Sequence, residues 1–173
     1  MNKALFVIIV LLFSVSLVFA QESKYRIDGK SYSKQIYDEN NEPVIYDDSI
    51  PVLEKLQKSG FKTAAMTDVA TGMPDLMHKN YVTPLLPYFD LYVSSLSCGY
   101  KKPNPKGLKD ISEHFGIAPD NMVMIGDTSR DVNAGKNIGC HSILINRSGK
   151  PPQDFGQEYT VINAMEILDL IQI

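Results

Sequence analysis

Four short polar clusters follow four apolar runs in this sequence, and their residue types are those that handle a compact anion. After "FKTAAM" come Thr67 and Asp68. After "DLYVSS" and a short loop comes "GYKKPNP", with Lys101 and Lys102. After "MVMI" come Gly126, Asp127 and, four positions later, Asp131. After "HSILI" come Asn146 and Arg147. A hydroxyl and an ammonium can hold a phosphoryl group by charge-assisted hydrogen bonds. Carboxylates suit Mg2+, a hard cation that prefers oxygen ligands.

Each cluster alone also has a structural reading. A Thr after a strand commonly caps a helix, and a Lys-Pro pair is commonly a surface loop. Asp127 could cap the helix that follows it. Asp131 lies one turn into that helix, where an acid favours the helix dipole. His78, His114 and His141 are scattered and show no metal-ligand spacing. The methionine-rich stretches read as core filling. No Ser-His-Asp or Cys-His arrangement is arguable.

The elements that must position these residues alternate. "DDSIPVLEKLQKSG" reads as a helix, with capping acids, Pro51 in the first turn and Gly60 at its end. "FKTAAMT" is a buried strand. "MPDLMHKNYVTPLLPYF" is a helix and a short second segment, broken by Pro84 and Pro87. "DLYVSS" is a strand, and "NPKGLKDISEHFG" a helix capped by Asn104. "NMVMIG", "SRDVNAGKNIG" and "HSILI" read as strand, helix and strand. "YTVI" is a candidate last strand, and "NAMEILDLIQI" a helix with Asn163 and Glu166 as a capping box. Continuous apolar strands between helices predict an α/β fold, a Rossmann-like parallel sheet with helices on both faces. In such sheets ligands bind outside the carboxyl ends of the strands, where all four clusters fall.

The chain has 173 residues, of which 44% are hydrophobic and 21% charged, enough for one domain with a real core. Its net charge of -3 and the absence of a basic stripe argue against a nucleic-acid partner. "MNKALFVIIVLLFSVSLVFA" has Lys3, an apolar run interrupted only by Ser14 and Ser16, and small residues Val18 and Ala20 before Gln21. It predicts a signal peptide over residues 1–20 and a secreted or periplasmic product, with a membrane anchor as the minor alternative. Residues 21–42 then read as a hairpin and loop lead-in around Asp28-Gly29, and residues 43–173 as the core domain. Cys98 follows one parallel strand while Cys140 precedes another. Opposite edges of such a layer lie about 15 Å apart, so two free thiols are expected. Asn146-Arg147-Ser148 is a glycosylation sequon.

In this order the clusters resemble those of the haloacid dehalogenase superfamily, in its phosphoglycolate-phosphatase-like branch, from about residue 43 to 168. "AAMTD" is similar to that family's second motif, "GYKKPNPKGL" to its third and "VMIGDTSRDVNAGKNIGC" to its fourth, G-D-x-x-x-D. The resemblance implies a Mg2+-dependent phosphomonoesterase acting on a small phosphorylated metabolite. Thr67, Asp68 and Lys102 would bind phosphate, with Thr67 and Lys102 serving catalysis, and Asp127 and Asp131 would hold Mg2+.

The family's first motif, D-x-D, has no match anywhere in the chain. Its first Asp is the family's nucleophile and its second the general acid and base. Asp28 and Asp47 are weak stand-ins. Alignment on Asp28 puts Arg26 in the nucleophile position, and Asp47 leads straight into the "PVLEKL" helix. The N-terminal part of the core is therefore expected to be degenerate or missing, with no sizeable cap domain and impaired hydrolysis. The alternative is a non-catalytic member that binds Mg2+ and phosphate or a protein partner. Nothing in the sequence indicates the oligomeric state.

Overall fold

Apolar runs too short for helices and too continuous for a half-exposed sheet fold here into parallel strands. The computed structural model describes residues 9–11 and 45–172. Its strands are β1 (Ile9–Leu11), β2 (Thr63–Thr67), β3 (Leu91–Ser94), β4 (Val123–Gly126), β5 (His141–Ile145) and β6 (Tyr159–Val161). They form one sheet in the order β3-β2-β1-β4-β5-β6, and every pairing is parallel.

The helices are α1 (Ser49–Lys58), α2 (Asp75–Val82), α3 (Ser95–Cys98), α4 (Lys106–Phe115), α5 (Ser129–Ile138) and α6 (Glu166–Leu170). Successive strand residues point to opposite faces, and β4 shows this directly. Val123 and Ile125 pack with Val52, Leu53 and Leu56 of α1 and Ile167 and Leu168 of α6. Met124 packs on the other face with Leu108 and Ile111 of α4 and Ala134 of α5. Leu53, Leu56, Leu108 and Ile111 are fully buried, each worth about 1.5–3 kcal/mol of removed apolar surface.

Ile9–Leu11, within the apolar run expected as a leader, form the middle strand of this sheet. Ile9 and Val10 pair with Thr63 and Ala64 on one side. On the other, Ile9, Val10 and Leu11 pair with Val123, Met124 and Ile125. Without β1, β2 and β4 would stand two strand spacings apart, about 10 Å, beyond backbone hydrogen bonding. A chain cleaved before Gln21 loses this strand, so leader and central strand are competing fates of the same residues. The lead-in expected over 21–42, with Asp28, lies outside the described residues. Among the described residues no cap domain stands over the sheet.

Local departures have plain causes. Asp47 and Asp48 do not cap α1 with their side chains. Asp48 instead accepts from Arg147 Nη2 on both oxygens at 2.8 Å and from the Ala164 N–H at 2.7 Å, tying α1 to the segments after β5 and β6. Asn104 accepts from the Lys106 N–H at 2.9 Å, an Asx turn that starts α4 one residue later than expected. Glu166 donates its N–H to Asn163 Oδ1, as the capping box requires, yet α6 begins only at Glu166. The segment Thr83–Tyr88 is 3-10 helix, because Pro87 lacks the N–H that an α-helix would use. The short helix α3 was not anticipated; Ser94 and Ser97 close it with reciprocal side-chain bonds.

Candidate active site

The carboxyl ends of β2 and β4 carry the predicted residues to one edge of the sheet. Thr67 closes β2 and Gly126 closes β4, with Asp127 next in chain. The 99–105 loop after α3 brings Lys102 to the same place. Lys102 is buried despite its charge. Its Nζ lies 2.9 Å from Asp131 Oδ1 and donates to the Met66 carbonyl at 3.4 Å. Its backbone N–H donates to Asp68 Oδ1 at 3.0 Å. A buried ammonium needs such partners, because desolvation without them costs several kcal/mol. With two of its three N–H bonds placed among the described residues, the third is available to an oxyanion.

Asp131 is shaped for this pairing. Its Oδ2 accepts from the Thr128 N–H at 2.9 Å and the Thr128 hydroxyl at 2.7 Å, which makes it the N3 acid of the α5 capping box. Both carboxylate oxygens are thus engaged, one by Lys102 and one by Thr128. Gly126 makes the approach possible: a Cβ there would sit 2.2 Å from Asp131 Cβ and 2.4 Å from its Cγ. The glycine that opens the "GD" pair is required by this contact.

The remaining candidates separate. Asp68 points its Oδ1 at the loop, and its Oδ2 lies 3.6 Å from Arg130 Nη1. It shapes the Lys102 loop, and a carboxylate so placed would repel a phosphate. Arg130, half-exposed at the first turn of α5, was not singled out in the sequence. Asp47 is exposed in the turn before α1 and makes no hydrogen bond or ion pair with Thr67, Lys102 or Asp131. Asp28 lies outside the described residues. Among the described residues no group of three or more His, Cys, Asp or Glu side chains is placed to hold a metal. Mg2+ can be held by one or two carboxylates, with phosphate and water completing its shell. Asp127 meets that minimum, and Asp131 Oδ1, which carries the Lys102 contact alone, keeps a second lone pair.

The thiols play no part at this edge. Cys98 and Cys140 are both free. Burial pushes the Cys140 thiol up to about 12, with the Glu158 charge adding to it, so it stays protonated.

One residue beside Thr67 was missed altogether. His78 of α2 is fully buried. Its Nε2 lies 3.2 Å from Thr67 Oγ1 and its Nδ1 2.9 Å from the Tyr92 hydroxyl of β3. Burial lowers its basicity by more than the nearby Asp75 raises it, so the ring is neutral at pH 7. No sequence spacing joins a helical His to a Thr eleven positions earlier.

Comparison with known proteins identifies the family to which the fold belongs. The family model for haloacid dehalogenase-like hydrolases matches residues 15–145. A phosphoglycolate phosphatase of Aquifex aeolicus is 33% identical over 128 residues, covering 71% of this chain and 58% of its own length. One from Nitrosospira multiformis is 33% identical over 116 residues, covering 67% and 49%. The crystal structure of a HAD phosphatase from Thermococcus onnurineus superposes with a TM-score of 0.64 at 29% identity, covering 73% of this chain and 58% of that one. The chain spans about half the length of the curated relatives it matches.

Proposed function

The chain belongs to the haloacid dehalogenase-like hydrolase family, and we propose that it binds the phosphoryl group of a small phosphorylated metabolite at the carboxyl edge of its sheet, as a phosphomonoesterase weakened by the loss of its nucleophile motif. The observation that supports this most is the fixed Lys102 ammonium. A buried cation locked at 2.9 Å from Asp131, at the edge where Thr67 ends β2, is a preorganised anion site. Thr67 would donate its hydroxyl proton to one phosphoryl oxygen and Lys102 its third N–H to another. Asp131 and Thr128 would keep Lys102 from swinging away. Asp127 is the residue that would hold Mg2+. That ion supplies charge neutralisation as negative charge moves onto the leaving oxygen.

A second reading has its own support. Among the described residues no acid faces Thr67 and Lys102 as an attacking group would. The sequence just after β1, Leu12 to Ser16, carries no acid either, and Glu22 is the first to follow. An aspartyl nucleophile lowers the barrier by an amount that a hydroxyl and an ammonium do not replace. On this reading the chain keeps the phosphate pocket and acts by binding a ligand or a protein partner. No basic stripe suggests nucleic acid. A secreted product follows only for chains that fold without β1, and an anchored one only for chains whose apolar run stays in a membrane.

The test is hydrolysis of a generic aryl phosphate by the full chain, with and without Mg2+, beside Asp127→Ala, Lys102→Met and Asp47→Ala. The proposal expects slow Mg2+-dependent turnover, lost in Asp127→Ala and Lys102→Met and kept in Asp47→Ala. Phosphate binding without turnover in the full chain would select the second reading. Neither turnover nor binding would remove both.

A further inference from the structure

Thr67 has a single hydroxyl proton, and the direction of that proton decides whether the residue attracts or repels a phosphoryl oxygen. If Thr67 donates to His78 Nε2, only lone pairs face the anion. If His78 donates to Thr67 Oγ1, the Thr67 proton is free to point at the anion. The 3.2 Å contact between Thr67 Oγ1 and His78 Nε2 allows either. The choice is made on the other side of the ring, where His78 Nδ1 lies 2.9 Å from the Tyr92 hydroxyl.

Chemistry favours one polarity. A phenol is a stronger donor and a poorer acceptor than an aliphatic hydroxyl. Tyr92 therefore donates to the Nδ1 lone pair, and the one ring proton sits on Nε2, facing Thr67. Tyr92 keeps its proton, because burial and the Asp75 charge both raise its phenol. The groups around the ring come from three elements: Thr67 from β2, Tyr92 from β3 and Asp75 one turn earlier on α2. Lys79 fixes the last two, 3.4 Å from the Asp75 carboxylate and 5.0 Å from the Tyr92 ring centroid.

We propose that His78 is a positioning residue, held by Tyr92 in its Nε2–H form so that it donates to Thr67 Oγ1 and turns the Thr67 proton toward a bound phosphoryl group. This rests on the phosphoryl-binding reading of the same edge. No bond is made or broken in the relay; it sets which way one hydroxyl points.

Two measurements on the full chain test it. The first is nitrogen NMR of 15N-histidine-labelled protein at pH 7, with His78 assigned by the loss of its signals in His78→Gln. The expected result is a protonated Nε2 and a bare Nδ1 that responds to Tyr92→Phe. A ring protonated on Nδ1, or on both nitrogens, overturns the proposal. The second is binding of inorganic phosphate. Gln carries a donor where Nε2 stands and Phe carries none. His78→Phe should weaken binding about tenfold, the loss of one charge-assisted hydrogen bond, and His78→Gln should restore most of it. Equal losses in both variants, or none in His78→Phe, also overturn the proposal. Should His78→Phe not fold, the tautomer and the Gln variant still decide. Should the wild type bind no phosphate, the phosphoryl reading fails while the tautomer still reports on the relay.

Discussion

Lys102 and Asp131 form a buried ion pair, Nζ to Oδ1 2.9 Å, with 7% and 3% of their side chains exposed. The two residues come from different segments, the loop before α4 and the first turn of α5. Their contact fixes the cation of the candidate site to the helix that follows "GD".

Removing one partner leaves the other charged and dry. Lys102→Met and Asp131→Ala should each lower stability by about 3–5 kcal/mol, the usual cost of an orphaned buried charge. The double variant should lose clearly less than the sum, since neither charge then remains. Urea unfolding of the four proteins measures the coupling. Additive losses would mean that the pair is not buried as described.

Stability should fall on mild acidification because of His78. Its folded-state basicity lies below the ordinary value of 6.5, with burial the larger cause. Below about pH 6.5 the unfolded chain therefore takes up a proton that the native ring refuses. Stability from this group is complete above pH 6.5 and declines as pH falls toward the lower native value. Urea midpoints at about pH 7.5, 6.5 and 5.5 should drop more steeply in the wild type than in His78→Gln. His114 and His141 are common to both proteins, so parallel profiles would contradict a neutral buried His78.

Much of the site was legible because it lies in short motifs. Thr67, Lys102 and Asp127 could be placed at strand ends from the alternation of apolar runs and helices alone. The role of Asp131 was not, since a carboxylate four residues after another suits a metal as well as a capping box. Its Lys102 contact and its fit against Gly126 become visible only in three dimensions. His78 and Tyr92 were illegible because their link to Thr67 crosses three elements. The segment that holds β1 reads as a leader for a different reason: a buried parallel strand and the apolar part of a leader have the same composition. What makes Ile9–Leu11 a strand is pairing with β2 and β4, and pairing is not visible in one sequence.

The carboxyl end of β1 lies beside that of β4, the strand that leads into Asp127. Leu11, the last residue of β1, pairs with Ile125 of β4, two residues before Asp127. Further along the sequence, Ser14 and Ser16 are the next two polar residues, with the spacing of the missing D-x-D. Replacing both with Asp should create or raise Mg2+-dependent aryl phosphate hydrolysis, and Ser16→Asp alone should not, since it supplies no nucleophile. Single-turnover assays with acid quench would trap the acyl phosphate. No gain in the folded double variant would show that this segment does not reach Thr67 and Lys102.

The folded protein should retain residues 1–20. Ile9–Leu11 offers backbone donors and acceptors to β2 on one side and β4 on the other. Deleting the segment leaves two inward edges unpaired in the middle of the sheet, where each buried unpaired backbone group costs about 1–3 kcal/mol. A few such groups approach the whole stability of a domain, about 5–15 kcal/mol. Residues 21–173 should therefore show no cooperative thermal transition and should associate, whereas the full chain unfolds in one step. Intact mass of the soluble protein should include Met1 to Ala20, or all but the initiator. A cooperative transition in 21–173 at the temperature of the full chain would show that β1 is dispensable and return the segment to a leader.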